Sequence, residues 1–133
     1  MPVLDASVVV DALVVTGRPG DLGRAELRKL SELPVPAIFT AEVTSALRAL
    51  VFRKALNPIR AATALTEILS IKTLSYPFEP FARRAWELRD SMSMYDTWYV
   101  ALAERLDMEL VTADKRLADA PGTRCPIRYL DPS

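Results

Sequence analysis

The chain has 133 residues, half of them hydrophobic, which is enough for one domain with its own core. Lys and Arg number 17 and so do Asp and Glu, so the formal charge is zero and gives no support for nucleic-acid binding. There is no histidine and only one cysteine. This excludes Ser-His-Asp and Cys-His catalysis, histidine-based zinc sites and an intramolecular disulfide. An enzyme of this composition must use carboxylates, hydroxyls, Lys, Arg or a bound metal.

The sequence also indicates the cellular compartment in which the protein is expected. The first residues, Met1–Asp5, lack the basic and long apolar regions of a signal peptide. No run approaches the roughly 18 uncharged apolar residues that a membrane helix needs. We therefore expect a soluble, cytoplasmic protein that does not bind membranes.

Short apolar runs alternate with helical patterns along the whole chain. In order, the first half is predicted to contain a strand Pro2–Asp5, helices Ala6–Val15 and Asp21–Glu32, a strand Pro34–Phe39, and a helix Thr40–Ala55 capped by Thr40. The second half follows with a helix from Pro58, a strand Ile71–Tyr76, helices Phe78–Asp90 and Met94–Leu106, a strand Glu109–Thr112, a short helix Asp114–Ala120 and a strand Ile127–Leu130. Such alternation predicts an α/β fold: one domain over residues 1–133, with a short parallel sheet of about five strands flanked by helices on both faces.

Four carboxylates stand at positions where such folds place functional groups. Asp5 and Asp114 directly follow predicted strands, whereas Glu42 and Asp96 lie in the first turns of predicted helices. Functional groups of open α/β sheets collect beyond the carboxyl ends of the strands. The residues at helical spacing after both helix acids are mostly apolar, which predicts that both acids point inward: Ser45, Ala46, Ala49 and Leu50 after Glu42, and Tyr99, Val100 and Ala103 after Asp96.

Carboxylates that converge in a partly buried site repel one another and raise each other's pKa values. A divalent cation removes that penalty, and Mg²⁺ or Mn²⁺ prefers oxygen ligands. Such a metal also lowers the pKa of a bound water and holds phosphate oxygens, which permits phosphodiester cleavage without histidine. Ser7 and Thr112 lie two residues from Asp5 and Asp114, where their hydroxyls could orient water or phosphate.

Each acid taken alone also fits a structural role. Asp5 and Asp114 could cap the helices that follow them, and Asp96 stands three residues after Ser93, as in a capping box. Glu42 would suit the positive end of its helix dipole. For the neighbouring aromatic residues Trp98 and Tyr99, core packing is favoured over base stacking.

Four sequence blocks in series resemble the PIN-domain family, and specifically the VapC toxins of VapBC toxin–antitoxin pairs. They are Val3-Leu-Asp5-Ala-Ser7, Pro36-Ala-Ile-Phe-Thr-Ala-Glu42-Val, Tyr95-Asp96-Thr-Trp-Tyr-Val-Ala-Leu-Ala-Glu104 and Leu110-Val-Thr112-Ala-Asp114-Lys-Arg-Leu117. The resemblance implies an acidic quartet at Asp5, Glu42, Asp96 and Asp114, with accessory hydroxyls at Ser7 and Thr112. It further implies Mg²⁺- or Mn²⁺-dependent endoribonuclease activity on RNA, homodimerisation, and inhibition by a small VapB-like antitoxin in a hetero-oligomer.

Lys115 and Arg116 follow Asp114 directly and are the best candidates for RNA contacts. Two alternatives remain open. A phosphotransfer enzyme of the haloacid-dehalogenase type would also place an aspartate after its first strand, although Ser7 stands where its second aspartate is expected. A PIN-like module without catalysis would serve as a scaffold or RNA binder.

Overall fold

The computed structural model describes all 133 residues and confirms the α/β fold. The five strands are β1 (Val3–Leu4), β2 (Leu33–Pro36), β3 (Thr73–Tyr76), β4 (Leu110–Thr112) and β5 (Ile127–Tyr129). The seven α-helices are α1 (Ala6–Val14), α2 (Arg18–Arg28), α3 (Phe39–Phe52), α4 (Pro58–Ser70), α5 (Ala82–Glu87), α6 (Met94–Leu106) and α7 (Lys115–Ala118). None of these helices has the length and apolar character needed to cross a membrane.

All strand pairs are parallel, but they form two hydrogen-bonded groups, β1–β4–β5 and β2–β3, instead of one continuous ladder. The break between β1 and β2 has a cause in the sequence. The N–H groups of Leu33 and Ala37 donate to carbonyls of the β3 side, each at 2.9 Å. The backbone groups of the alternate residues, Pro34 and Pro36, therefore point toward β1. Because proline has no N–H, these two residues cannot donate ladder hydrogen bonds to β1. Strands β1 and β2 lie in contact without a ladder.

The central strands are covered on both faces. Val3 and Leu4 point to opposite sides of β1, as do Leu110 and Val111 in β4, and all four are fully buried. Helices α1 and α6 pack against both of these strands. This arrangement leaves the carboxyl ends of β1 and β4 side by side, where the chain turns out of the sheet at Asp5 and Asp114.

Helix α2 spans Arg18–Arg28, so the predicted helix Asp21–Glu32 was placed too late at both ends. The helix packs unusually closely against α1. A Cβ atom at Gly20 would lie 1.7 Å from the Val15 carbonyl oxygen, and one at Gly23 would lie 2.7 Å from that of Val8. Glycine at these positions therefore allows close packing of the two helices, and α2 holds α1 in place beside the strands.

Other element bounds differ by a few residues. Strand β2 ends at Pro36, and α3 begins at Phe39 with Ile38 as N-cap in place of the predicted Thr40, because the Phe39 side chain is buried in the core. The predicted helix Phe78–Asp90 is instead a 3₁₀ turn, Glu79–Phe81, followed by the short α5. In α4, Ala64 and Ile68 are buried, whereas Leu69 is exposed.

Candidate active site

The four predicted acids line one cleft of about 530 Å³. Asp5 and Asp114 reach it from the ends of β1 and β4, Glu42 from the first turn of α3 and Asp96 from the first turn of α6. A larger cavity, of about 800 Å³, lies elsewhere, against α5 and the second half of α6, and contains none of these acids. It is lined by equal numbers of arginines and acidic residues. The folded chain thus brings together residues that are up to 109 positions apart.

Asp5 is the most buried of the four acids, with only 6% of its surface exposed. Its Oδ2 accepts two hydroxyl hydrogen bonds, from Ser7 at 2.7 Å and from Thr112 at 2.8 Å. Burial raises the pKa of this carboxyl, and the two hydroxyls and the Ala6 N–H only partly offset that effect. Asp5 occupies the N-cap position of α1 without a capping bond from its side chain, so the capping role does not account for it.

The two accessory hydroxyls connect Asp5 to the loop after β4. The Ser7 oxygen accepts the Ala113 N–H at 3.1 Å, and the Thr112 oxygen accepts the Asp114 N–H at 3.0 Å. Because both hydroxyls donate their proton to Asp5, they fix its orientation relative to Asp114. In this arrangement they act as positioning groups for the acids.

Glu42 is held by a buried partner that the sequence did not identify. The Tyr99 hydroxyl donates to Glu42 Oε1 at 2.8 Å across 57 residues of sequence. Tyr99 is fully buried in the core, as expected, and so is most of Trp98. A buried tyrosine hydroxyl needs a hydrogen-bond partner. Tyr99 lies three residues after Asp96 and so on the same helix face, which was the sequence signal that its hydroxyl reaches the acids. Burial raises the pKa of the tyrosine, which therefore stays protonated and donates.

The capping roles of the last two acids are partly correct. The Ser93 hydroxyl oxygen accepts the Asp96 N–H at 3.2 Å and so caps α6, while the Asp96 carboxyl faces the cleft. Asp114 caps α7, with Oδ1 accepting the Arg116 N–H at 2.9 Å, and also lines the cleft. The capping role of Asp114 is therefore confirmed, and its carboxyl still lies in the cleft where the other three acids meet.

The wall of the cleft beyond the acids is largely apolar. The stripe predicted to follow Glu42 into the interior is only partly confirmed. Ala46 and Leu50 are half-buried against the core and line the cleft, whereas Ser45 and Ala49 are exposed. The core face of α3 is offset by one residue, at Val43 and Leu47. The stripe after Asp96 is confirmed, since Tyr99, Val100 and Ala103 are all buried.

The acids of the cluster interact electrostatically. Burial, together with the charges of Asp5 and Asp114, raises the pKa of Asp96 to about 6 against the opposing effects of Ser93 and Arg116. Burial also raises the pKa of Glu42, with contributions from Asp5 and Asp96. Asp5, Glu42 and Asp96 therefore hold their protons to higher pH than free carboxyl groups do. A fifth carboxyl, Asp11, lies further along the cleft, and burial alone raises its pKa.

A hard divalent cation fits this donor set. The ligands available in the cleft are carboxylate and hydroxyl oxygens, without histidine or cysteine, which suits Mg²⁺ or Mn²⁺ better than Zn²⁺. As the side chains stand, no three of them converge closely enough to coordinate one ion. Mg²⁺ needs only one or two carboxylates directly, because it retains several waters. The raised pKa values indicate where a positive charge would be most stabilising.

The two basic residues after Asp114 have different surroundings. Lys115 turns away from the acids: its Nζ donates to Asp119 at 3.1 Å and stands 5.8 Å from the centre of the Tyr129 ring. Arg116 lies beside the site, with Nε 3.8 Å from Asp114 Oδ1 and its side chain almost fully exposed. Of the two, only Arg116 lies beside the acids.

The chain matches known proteins over nearly its full length. The PIN domain family profile matches residues 3–122. Ribonuclease VapC9 of Mycobacterium tuberculosis is 39% identical over 127 residues, covering 96% of both chains. Ribonuclease VapC12 of the same organism is 36% identical over 132 residues, covering 98% of this chain and 99% of its own. Among solved structures, FitAcB from Neisseria gonorrhoeae superposes with a TM-score of 0.65 at 20% identity over 98% of both chains. FitAB bound to an IR36 DNA fragment gives a TM-score of 0.66 at 19% identity, covering 98% and 95%.

The raised pKa of Asp96 predicts a pH-dependent stability difference in the metal-free protein. In the folded state the pKa of Asp96 is about 6, whereas the ordinary pKa of an aspartate is 3.8. The folded state therefore keeps this proton to higher pH than the unfolded chain does. Wild type therefore loses stability relative to Asp96→Asn as pH rises through this window. At pH 7 in EDTA we expect the variant to be more stable by about 1–2 kcal/mol, since two pKa units correspond to about 3 kcal/mol before solvent screening. At pH 4 the two should be similar.

Urea unfolding at both pH values measures this difference. Asp90→Asn, which changes an exposed aspartate outside the cleft, is the matched control and should track wild type throughout. A wild type that equals or exceeds Asp96→Asn in stability at pH 7 would contradict the electrostatic description of the cluster.

Proposed function

Because the chain belongs to the PIN-domain family and resembles its VapC ribonucleases over almost all of its length, we propose that it is a metal-dependent endoribonuclease and the toxin of a type II toxin–antitoxin pair. The observation that supports this most strongly is the convergence of four separate acids, from β1, α3, α6 and β4, on one cleft. Their number and the raised pKa values of Asp5, Glu42 and Asp96 argue against a module that has lost catalysis. The family also argues against phosphotransfer of the haloacid-dehalogenase type.

In the proposed site, Asp5, Glu42, Asp96 and Asp114 hold the Mg²⁺ or Mn²⁺ ion. When bound, the ion supplies positive charge for phosphate oxygens and lowers the pKa of a water. Ser7 and Thr112 keep the Asp5 carboxyl in a fixed orientation, and Tyr99 does the same for Glu42. Because these donors occupy one oxygen of each carboxyl, Asp5 Oδ1 and Glu42 Oε2 remain free of side-chain donors for the ion or for water.

The nuclease proposal predicts that Asp5→Asn, Asp96→Asn and Asp114→Asn each lower RNA cleavage by about 100-fold or more, because each removes a charge on which ion and phosphate binding depend. Asp90→Asn should cleave at the wild-type rate.

EDTA should stop wild-type cleavage. Mg²⁺ or Mn²⁺ should restore the activity, whereas Zn²⁺ should restore it poorly. Gel assays of a labelled RNA, with melting temperatures as a check on folding, measure these effects. Wild-type cleavage in all three Asn variants would refute the site, and full activity in EDTA would refute the metal.

The cleft is also suited to an inhibitory antitoxin segment. An Arg or Lys of such a segment can replace the metal's charge among the four acids and form charge-assisted hydrogen bonds. Apolar residues of the same segment can pack on the wall formed by Val10, Ala46 and Leu50, between α1 and α3. We propose a VapB-like antitoxin as the partner. Homodimerisation and a toxin–antitoxin hetero-oligomer are proposed on family membership alone.

This partner predicts a particular pattern in cells. Expressed alone, wild type should arrest growth, Asp5→Asn should be tolerated, and co-expression of the antitoxin should rescue the wild type. Leu50→Asp should weaken the rescue, because it places a charge in the apolar wall, whereas Leu69→Asp, on the exposed face of α4, should not. Raising Mg²⁺ should weaken the purified complex. Growth curves and pull-downs measure these effects; a harmless wild type that recruits no antitoxin would refute the toxin role even if RNA cleavage is observed.

A further inference from the structure

A second, smaller cavity of about 260 Å³ adjoins the acidic cleft. Its walls are Ser91, Met92 and Ser93, from the connection between α5 and α6, and Arg116 and Leu117 of α7. It shares two residues with the cleft, Asp96 and Asp114. These two carboxylates therefore form the boundary between the two spaces, and a strand cleaved at the acids has to continue on both sides of that boundary.

The two spaces differ in chemistry. The cleft beyond the acids has a largely apolar wall and carries one further carboxyl, Asp11, and one guanidinium, Arg53. The smaller cavity offers hydroxyls, a half-buried thioether and a guanidinium. Arg116 makes only a long ion pair, 3.8 Å from Asp114, so most of its donors remain available. The Ser93 oxygen accepts the Asp96 N–H, which leaves the hydroxyl proton for another acceptor.

We propose that this cavity is a nucleotide subsite for a single-stranded RNA, which rests on the nuclease function proposed above. One unstacked base enters it and packs against Met92, with the Ser91 and Ser93 hydroxyls at its polar edge. Arg116 pairs with the backbone phosphate next to the one that is cleaved. The cavity is smaller than the roughly 300–1,000 Å³ of pockets that hold drug-sized ligands, which suits one base.

The chain provides a matched pair of variants to test the subsite. Arg116→Gln removes the proposed phosphate contact, whereas Lys115→Gln makes the same charge change one residue away, on a side chain that points to Asp119. On a short RNA we expect Arg116→Gln to raise KM by about 10-fold or more with little change in kcat. Lys115→Gln should stay near wild type. Both side chains are exposed, so the melting temperatures should not separate them.

A set of modified RNA substrates identifies the backbone phosphate that Arg116 contacts. Uncharged methylphosphonate groups are placed one at a time on either side of the cleaved bond. One such position should raise the wild-type KM as much as Arg116→Gln does, and should cause no further rise in that variant, because both changes remove the same contact. Ser91→Ala should shift the base preferred at one position next to the cleavage site.

The outcomes separate this proposal from the proposed function. If wild type does not cleave RNA, the nuclease function fails and the subsite fails with it. If wild type cleaves RNA but Arg116→Gln behaves like Lys115→Gln, or its effect adds fully to that of every methylphosphonate, the subsite is refuted while the nuclease function stands.

Discussion

Burial of the carboxylates at the ends of β1 and β4, together with their mutual repulsion, is the constraint on which the rest of this site depends. Asp5 is buried, and burial, with the charges of Asp5 and Asp114, raises the pKa of Asp96. A chain selected only for stability would not keep unpaired acids in such a place. The fold instead uses polar contacts to hold them there: two hydroxyls on Asp5 and a buried tyrosine hydroxyl on Glu42. A cation bound at the proposed site would offset the cost of burying these charges, and folding would then be coupled to metal affinity.

The parts that hold the acids lie far apart in sequence but share a few contacts. Ser7 and Thr112 bond both to Asp5 and to the backbone that leads to Asp114, so hydrogen bonds connect the ends of two neighbouring strands. The parallel pairing of β1 with β4 sets the distance between these two strand ends. The close contact of α2 with α1, which glycine permits, packs the first helix between α2 and the central strands.

Much of this could be predicted from the sequence, because strand-end acids and the 3.6-residue period are local signals. The α/β fold and the inward direction of Asp96 follow from them. What could not be predicted depends on contacts between distant segments. The hydrogen bond from Tyr99 to Glu42 spans 57 residues, and the start of α2 at Arg18 depends on packing against α1. The division of the strands into two groups was readable in principle, since Pro34 and Pro36 face β1, but only once the direction of β2 was known. The different surroundings of Lys115 and Arg116 likewise depend on the tertiary positions of Asp119 and Asp114.

The most direct test of the central claim is to locate a bound cation. Crystals of the protein soaked in Mn²⁺ near pH 7 can be measured at a wavelength where manganese scatters anomalously. An anomalous peak is expected within the cleft, among Asp5, Glu42, Asp96 and Asp114, and it should disappear in Asp5→Asn crystals soaked in the same way. A peak absent from the cleft in well-soaked wild-type crystals, or one found only at another acidic group such as Glu26 and Glu109, would contradict the account.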